Sequence, residues 1–99
     1  MAKITVTPTI CAYPDESSEN MNIEVELPGV NKEDINFNLY EHGFYIVAKS
    51  EGIKYMGSYS FCMPVVPDGA IAKYSNGLLK VNVPYKKELF KKGVKVDIE

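Results

Sequence analysis

The segment Met21-Asn22-Ile23-Glu24-Val25-Glu26-Leu27 sets an apolar side chain at every odd position and a polar one at every even position. That period of two belongs to a β-strand with one buried face and one wet face. Pro28-Gly29 stops the run, and the pattern then recurs. Ile35-Asn36-Phe37-Asn38-Leu39 alternates, Glu41-His42-Gly43 makes a tight turn, and Phe44 to Lys49 reads as the returning strand of a hairpin. Glu51-Gly52 breaks that strand, and the stretch Ser50 to Gly57 leads into Ser58-Tyr59-Ser60-Phe61-Cys62-Met63, alternating again. Pro64 and Pro67-Asp68-Gly69 mark a corner. Ala70 to Ser75 and Leu78 to Val83 flank Asn76-Gly77, a pair tolerant of the positive φ that a two-residue hairpin turn demands. Leu79, Val81 and Val83 share one face of the last strand, which ends at Pro84.

Upstream, Thr9 to Tyr13 supplies one more strand, and the polar stretch Asp15 to Asn20 reads as a loop. Asn31-Lys32-Glu33-Asp34 predicts a single helical turn capped by the Asn31 side chain. Short strands at such close spacing predict an all-β fold, an immunoglobulin-like antiparallel β-sandwich of about seven to eight strands. A chain of 99 residues makes one domain with one thin core. The expected division is a short N-terminal arm over residues 1–8, the sandwich over 9–84 and a C-terminal extension over 85–99. Val94-Lys95-Val96-Asp97-Ile98-Glu99 alternates like a strand without a following turn, and an isolated strand needs a partner.

The basic residues are all Lys, and the net charge is −2, a poor match to nucleic acid, whose phosphates call for a clustered positive excess. No apolar run approaches the ~20 residues that cross a membrane. Cys11 and Cys62 read as two free thiols in a reducing cytoplasm, since two cysteines make no disulfide framework. The one histidine, His42, sits in a turn with no set of ligands at metal spacing, and Ser17 and Ser18 lack a nucleophile motif. The expectation is therefore no enzyme, no metal and no cofactor. Cys62 and Met63 read as strand residues, one of them packed in the core. The lysines from Lys86 to Lys95 read as a solvated tail, within which Leu89 and Phe90 need an apolar contact.

Three landmarks resemble the small heat-shock protein family. Glu26-Leu27-Pro28-Gly29-Val30 with Glu33-Asp34-Ile35 behind it is similar to the family's leucine-proline-glycine-valine corner and acidic turn. Ala72-Lys73-Tyr74-Ser75-Asn76-Gly77-Leu78-Leu79 is similar to its Ala-to-Gly-x-Leu signature, closed by Val83-Pro84. Val96-Asp97-Ile98 resembles its isoleucine-x-isoleucine tail motif. The resemblance spans roughly Pro8 to Glu99, and it implies an α-crystallin domain in which Leu27, Pro28, Gly29, Ala72, Gly77 and Leu79 maintain the fold. Ala72 is expected where the two sheets approach closely, and Leu79 beneath the hairpin turn.

The resemblance implies an ATP-independent chaperone, a holdase that binds partly unfolded clients and suppresses their aggregation. It also implies a peptide- or tail-binding groove lined by Ile35, Phe37 and Ile71, with Lys73 where the family often has an apolar residue. Val96 and Ile98 are the expected C-terminal docking residues. The family commonly dimerises through the segment between the strands expected at Phe44–Lys49 and Ser58–Met63, and animal members carry an arginine at the position of Tyr59. With only Ser50 to Gly57 in that segment, no arginine and a short arm, the expectation is a dimer or small oligomer. The partners expected are non-native clients and copies of the chain, with neither nucleic acid nor membrane. Met1 and the terminal motif lead to the expectation of a complete chain. The alternative is a co-chaperone or adaptor of the CS-domain kind, which shares the sandwich and docks a folded chaperone.

Overall fold

The computed structural model describes residues 3–87 and 94–99. Eight strands form: β1 (Ile4–Val6), β2 (Ile10–Pro14), β3 (Asn20–Glu26), β4 (Ile35–Tyr40), β5 (Gly43–Lys49), β6 (Ile53–Ser60), β7 (Ile71–Ser75) and β8 (Leu78–Pro84). They make two four-stranded sheets, ordered β1-β6-β5-β4 and β2-β3-β8-β7. All pairings are antiparallel except β1 with β6, which runs parallel with Ile4 opposite Ile53 and Val6 opposite Tyr55.

The alternation in the sequence becomes the core. Met21, Ile23 and Val25 of β3 face Leu79, Val81 and Val83 of β8 across the ladder, and all six are buried. From the other sheet, Phe44, Ile46 and Ala48 of β5 and Tyr55 of β6 close over them. Each aliphatic side chain buried in this way contributes about 1.5–3 kcal/mol. The opposite faces of the same strands stay wet, so a register slip of one residue would invert the whole pattern.

Four expectations need correction. The stretch Ile53 to Gly57 is strand rather than connection, so only Ser50–Gly52 separates β5 from β6. That strand ends at Ser60, because the Phe61 amide turns to the His42 carbonyl at 2.8 Å and the Val65 amide to the Glu41 carbonyl at 2.9 Å. Cys62 and Met63 are therefore exposed, and Val65 takes the core position. Asn31 precedes a 3-10 turn (Lys32–Asp34) without a side-chain cap; its carbonyl accepts from the Asp34 amide at 2.9 Å instead. The expected arm contains β1, which falls on the outer edge of β6.

Between β1 and β2 the chain passes from one sheet to the other through Pro8, which is buried. A Cβ at Gly57 would lie 3.3 Å from the Pro8 ring and 3.4 Å from Ile10, so the missing side chain makes room for the crossing. This contact stacks β6 over β2. With both sheet orders fixed, β4 must then lie across from β7 at the opposite mouth of the sandwich.

Candidate functional site

The mouth between β4 and β7 is where two strand edges, unpaired among the described residues, meet an apolar interior. Along β4, Ile35, Phe37 and Leu39 point inward and are half-buried, while Asn36, Asn38 and Tyr40 point to solvent. Along β7 the parity follows from its partners. Ala72 pairs with buried Val81 and Tyr74 with buried Leu79, whereas Ile71 pairs with Asn82 and Lys73 with Lys80 on the outer face.

The structure thus divides the four expected groove residues. Ile35 and Phe37 line the mouth, but Ile71 and Lys73 sit on the outer surface of the sheet, with Ile71 72% exposed. The β7 side chains that face β4 are Ala72 and Tyr74. Assignment by position to the family's groove falls one residue out of step, and in a strand one residue means the opposite face. Ala72 itself faces inward yet remains exposed, so it leaves open space at the mouth rather than marking a close approach of the sheets.

Tyr74 anchors this end of the groove. Its hydroxyl lies 2.8 Å from the carbonyl oxygens of both Leu27 and Val30, a shared donation that ties the β3–β4 connection to β7. Burial raises the Tyr74 phenol above its ordinary value, partly offset by the Val30 carbonyl. Tyr55, from the other sheet, reaches the Pro28 carbonyl at 3.4 Å. Gly29 and Gly77 hold φ of +79° and +78°, with Asn76 at +51°, as the sequence of corner and hairpin requires. Leu27 and Leu79 are buried. Sequence reasoning passed over Tyr74, whose signal was an aromatic hydroxyl at an inward position near a strand end.

A chain of rings runs through the sandwich from this mouth. Phe37 lies 5.0 Å from buried Phe44, which stacks on Tyr59 at 5.8 Å with planes 12° apart and tilts against Phe61 at 6.1 Å. Tyr59, where animal members have arginine, is thus a packing residue. Beyond it a cleft of about 210 Å³ opens between β2 and the end of β6, lined by Ala12, Met21, Phe61 and Met63 among others.

The outer face of the β7-bearing sheet is polar. The Tyr13 hydroxyl donates to the Glu24 carboxylate, and that bond raises the Tyr13 phenol. Asn82 donates to Asn22 at 2.9 Å. His42 is exposed beside Glu41, whose carboxylate also meets Lys86 at 3.1 Å. Among the described residues, no three His, Cys, Asp or Glu side chains gather as metal ligands would, and no helix is long and apolar enough to cross a membrane. Cys11 and Cys62 are free and exposed.

In the tail, Val94, Val96 and Ile98 are 89%, 76% and 95% exposed, so the two residues expected to dock do not pack into the mouth between β4 and β7 of the same chain. Leu89 and Phe90, expected to need an apolar contact, fall outside the described residues, as does part of the expected extension.

No protein-family profile matches the chain. In sequence it is similar to small heat shock protein C2 of Rickettsia felis, 32% identical over 89 residues, covering 74% of this chain and 58% of that protein. The chain therefore spans a little more than half the length of this curated relative. In structure it is similar to heat shock protein 16.0 from Schizosaccharomyces pombe, with a TM-score of 0.72 and 23% identity over 94% of this chain and 77% of that one. It is also similar to a small heat-shock protein from Xylella fastidiosa, described as having a distinct high order structure. There the TM-score is 0.69 and the identity 15%, over 95% of each chain. At such identities the structural likeness establishes the fold alone.

Proposed function

The chain belongs to the small heat-shock protein family and carries its α-crystallin fold, and from that premise we propose that it is a holdase, binding partly unfolded proteins without nucleotide or catalysis. The observation that carries this reading is the open mouth between β4 and β7. There Ile35, Phe37 and Leu39 face Ala72 and Tyr74, and among the described residues both flanking strands have a free edge. Such an edge captures an extended peptide by main-chain hydrogen bonds, with alternate side chains entering the apolar gap. Segments of that kind are what an unfolding client exposes.

The chain's own tail fits the same mouth. Val96 and Ile98 are exposed, alternate with charged residues, and would seat between β4 and β7 of a second copy. Burying both contributes roughly 3–6 kcal/mol before ordering costs, so the contact exchanges readily. Occupied by tails, the groove is protected; released, it accepts clients. The self-association that follows is a small assembly, because three residues between β5 and β6 leave no inserted strand for exchange. A reducing cytoplasm suits the two exposed thiols.

The test is suppression of aggregation of several unrelated heated proteins at stoichiometric ratio without nucleotide, with solution mass measured in parallel. Protection is expected, and Val96→Gly with Ile98→Gly should lower the mass while the sandwich stays folded. No protection of any client, together with binding to one folded chaperone, would overturn the reading in favour of an adaptor.

A further inference from the structure

Ile10 and Ala12 of β2 pair with buried Val25 and Ile23 and so face inward, whereas Cys11 and Tyr13 pair with Glu24 and Asn22 on the outer face. The backbone groups alternate in the plane of the sheet. The Glu26 amide donates to the Thr9 carbonyl at 3.0 Å and the Asp15 amide to the Asn20 carbonyl at 2.9 Å, so the odd positions of β2 direct their polar groups to β3. The even positions, Ile10, Ala12 and Pro14, turn theirs away, and among the described residues no strand lies beyond them. Pro14 has no N–H, so the donors of this bare edge are the Ile10 and Ala12 amides. No residue of β2 is charged, so the edge lacks the lysine that commonly guards such a strand.

We propose that this edge is a two-fold interface, at which a second copy adds its own β2 antiparallel, with Cys11 opposite the partner's Cys11. An antiparallel partner must set even positions against even ones, because only those carry free backbone groups. In the register centred on Cys11, Ile10 meets the partner's Ala12 and Ala12 meets the partner's Ile10, and each pair exchanges both hydrogen bonds. Pro14 then falls opposite the partner's Pro8, where neither residue has a donor to lose. Sliding the centre to Ala12 sets Ile10 against the partner's Pro14, which cannot return a bond, and the Ile10 carbonyl is left unpaired. Sliding it to Ile10 leaves the Ala12 carbonyl unpaired against the partner's Pro8 in the same way.

The inward side chains favour the same occupant. Ala12 is small, and beside it lies the cleft of about 210 Å³ lined also by Met21, Phe61 and Met63. In the register centred on Cys11, the partner's Ile10 arrives next to Ala12 on the inward face, so a branched side chain meets the open side of that cleft. The two-fold axis repeats this large-against-small fit at the other end, as a contact between identical surfaces requires. The pairing uses neither the tail nor the mouth between β4 and β7, and it stands apart from the holdase reading.

The experiment follows disulfide formation in the full chain carrying Cys62→Ser, with diamide as oxidant. Two thiols give their hydrogens to the diazene, which becomes the hydrazine, and one S–S bond forms. Cys11 and the partner's Cys11 make a non-hydrogen-bonded pair, with Cα atoms about 4.5 Å apart, inside the roughly 4.4–6.8 Å that a disulfide spans. Cross-linked dimer is expected about tenfold faster than in the Cys11→Ser chain, whose exposed Cys62 reports random encounter. Ala12→Leu fills the cleft from its own strand, and Ala12→Pro removes an edge donor while leaving the β3 ladder its bonds. Each should slow the cross-link about tenfold, with thermal melts showing which variants keep the sandwich. Equal rates for the two thiols, or no slowing in an Ala12 variant that folds, would overturn the proposal. The chain with Val96→Gly and Ile98→Gly should cross-link within about twofold of its parent. If it loses the cross-link together with its mass, the thiols meet in tail-linked assemblies and the β2 pairing is wrong.

Discussion

The amide of Leu27 donates to the carbonyl of Gly77 at 2.7 Å, so the two motifs that most strongly mark this sequence are bonded to each other. The Leu-Pro-Gly corner and the Asn-Gly hairpin tip pack as one unit, and a Cβ at Gly77 would stand 3.2 Å from the Pro28 Cα. Gly77→Ala should therefore cost about 1–3 kcal/mol, from the left-handed φ and the contact together. Gly29→Ala, at nearly the same φ with nothing near its Cβ, should cost less. Urea midpoints of the two variants decide it; equal losses would mean that Pro28 yields freely.

Tyr74→Phe removes the hydroxyl shared by the Leu27 and Val30 carbonyls, and should lower stability by about 1 kcal/mol at neutral pH. Its folded-state pKa is raised, so the neutral phenol is favoured in the native protein. That contribution is fully present below the ordinary tyrosine value of 10.0 and is lost as pH rises through the higher native value. The gap in midpoint between wild type and Tyr74→Phe should narrow in alkali. A gap that stays constant to the highest workable pH would contradict the role of this hydroxyl.

Asp15 orders the β2–β3 loop, accepting from the Ser17 hydroxyl at 2.8 Å and from the Asn20 side chain at 3.1 Å. The Ser17 bond leads the lowering of its carboxyl below the ordinary 3.8, with burial opposing. A depressed carboxylate stabilises the fold above its unfolded value and loses that contribution as pH falls through the native one. Asp15→Ala should be less stable than wild type at neutral pH, and the two should converge in acid. Thermal melts from about pH 6 down to pH 2.5 test the sign.

The β1 strand is held mainly by backbone, since Ile4, Thr5 and Val6 are all exposed. Ile4→Pro deletes the donor that meets the Gly52 carbonyl at 3.0 Å. The strand should detach while the sandwich remains folded, with a loss below about 2 kcal/mol. Faster hydrogen exchange along Ile53 to Tyr55, with the rest of β6 unchanged, would show it. Collapse of the whole domain would make β1 integral to the core.

The sandwich was legible because its strands alternate cleanly and its turns carry Gly, Pro and Asn where backbone geometry asks for them. Ile23, Val25, Val81 and Val83 fall in the core for that reason. Two features lay beyond such patterns. Ile4-Thr5-Val6 has strand-forming residues, but three residues set no period, and nothing local announces a parallel pairing made 49 positions away. The groove was half legible: Ile35 and Phe37 alternate visibly, whereas β7 reads Ile-Ala-Lys-Tyr-Ser, in which Ile71 invites the wrong parity. Only its ladder with β8 shows Ala72 and Tyr74 facing inward.

The sheet edges are unlike: β6 is covered by the parallel strand β1, whereas β7 is bare along its five residues among those described. A contact in which the tail of one copy enters the edge of the next joins different surfaces, and so is not its own mirror under a two-fold axis. Copies linked this way acquire a direction. The small assembly proposed above then requires that the rotation between successive copies close a ring. The angle at which residues 85–87 leave the sandwich, where the Tyr85 and Lys86 amides are pinned to Glu19 and Pro64, therefore bears on whether an assembly has a fixed number of members.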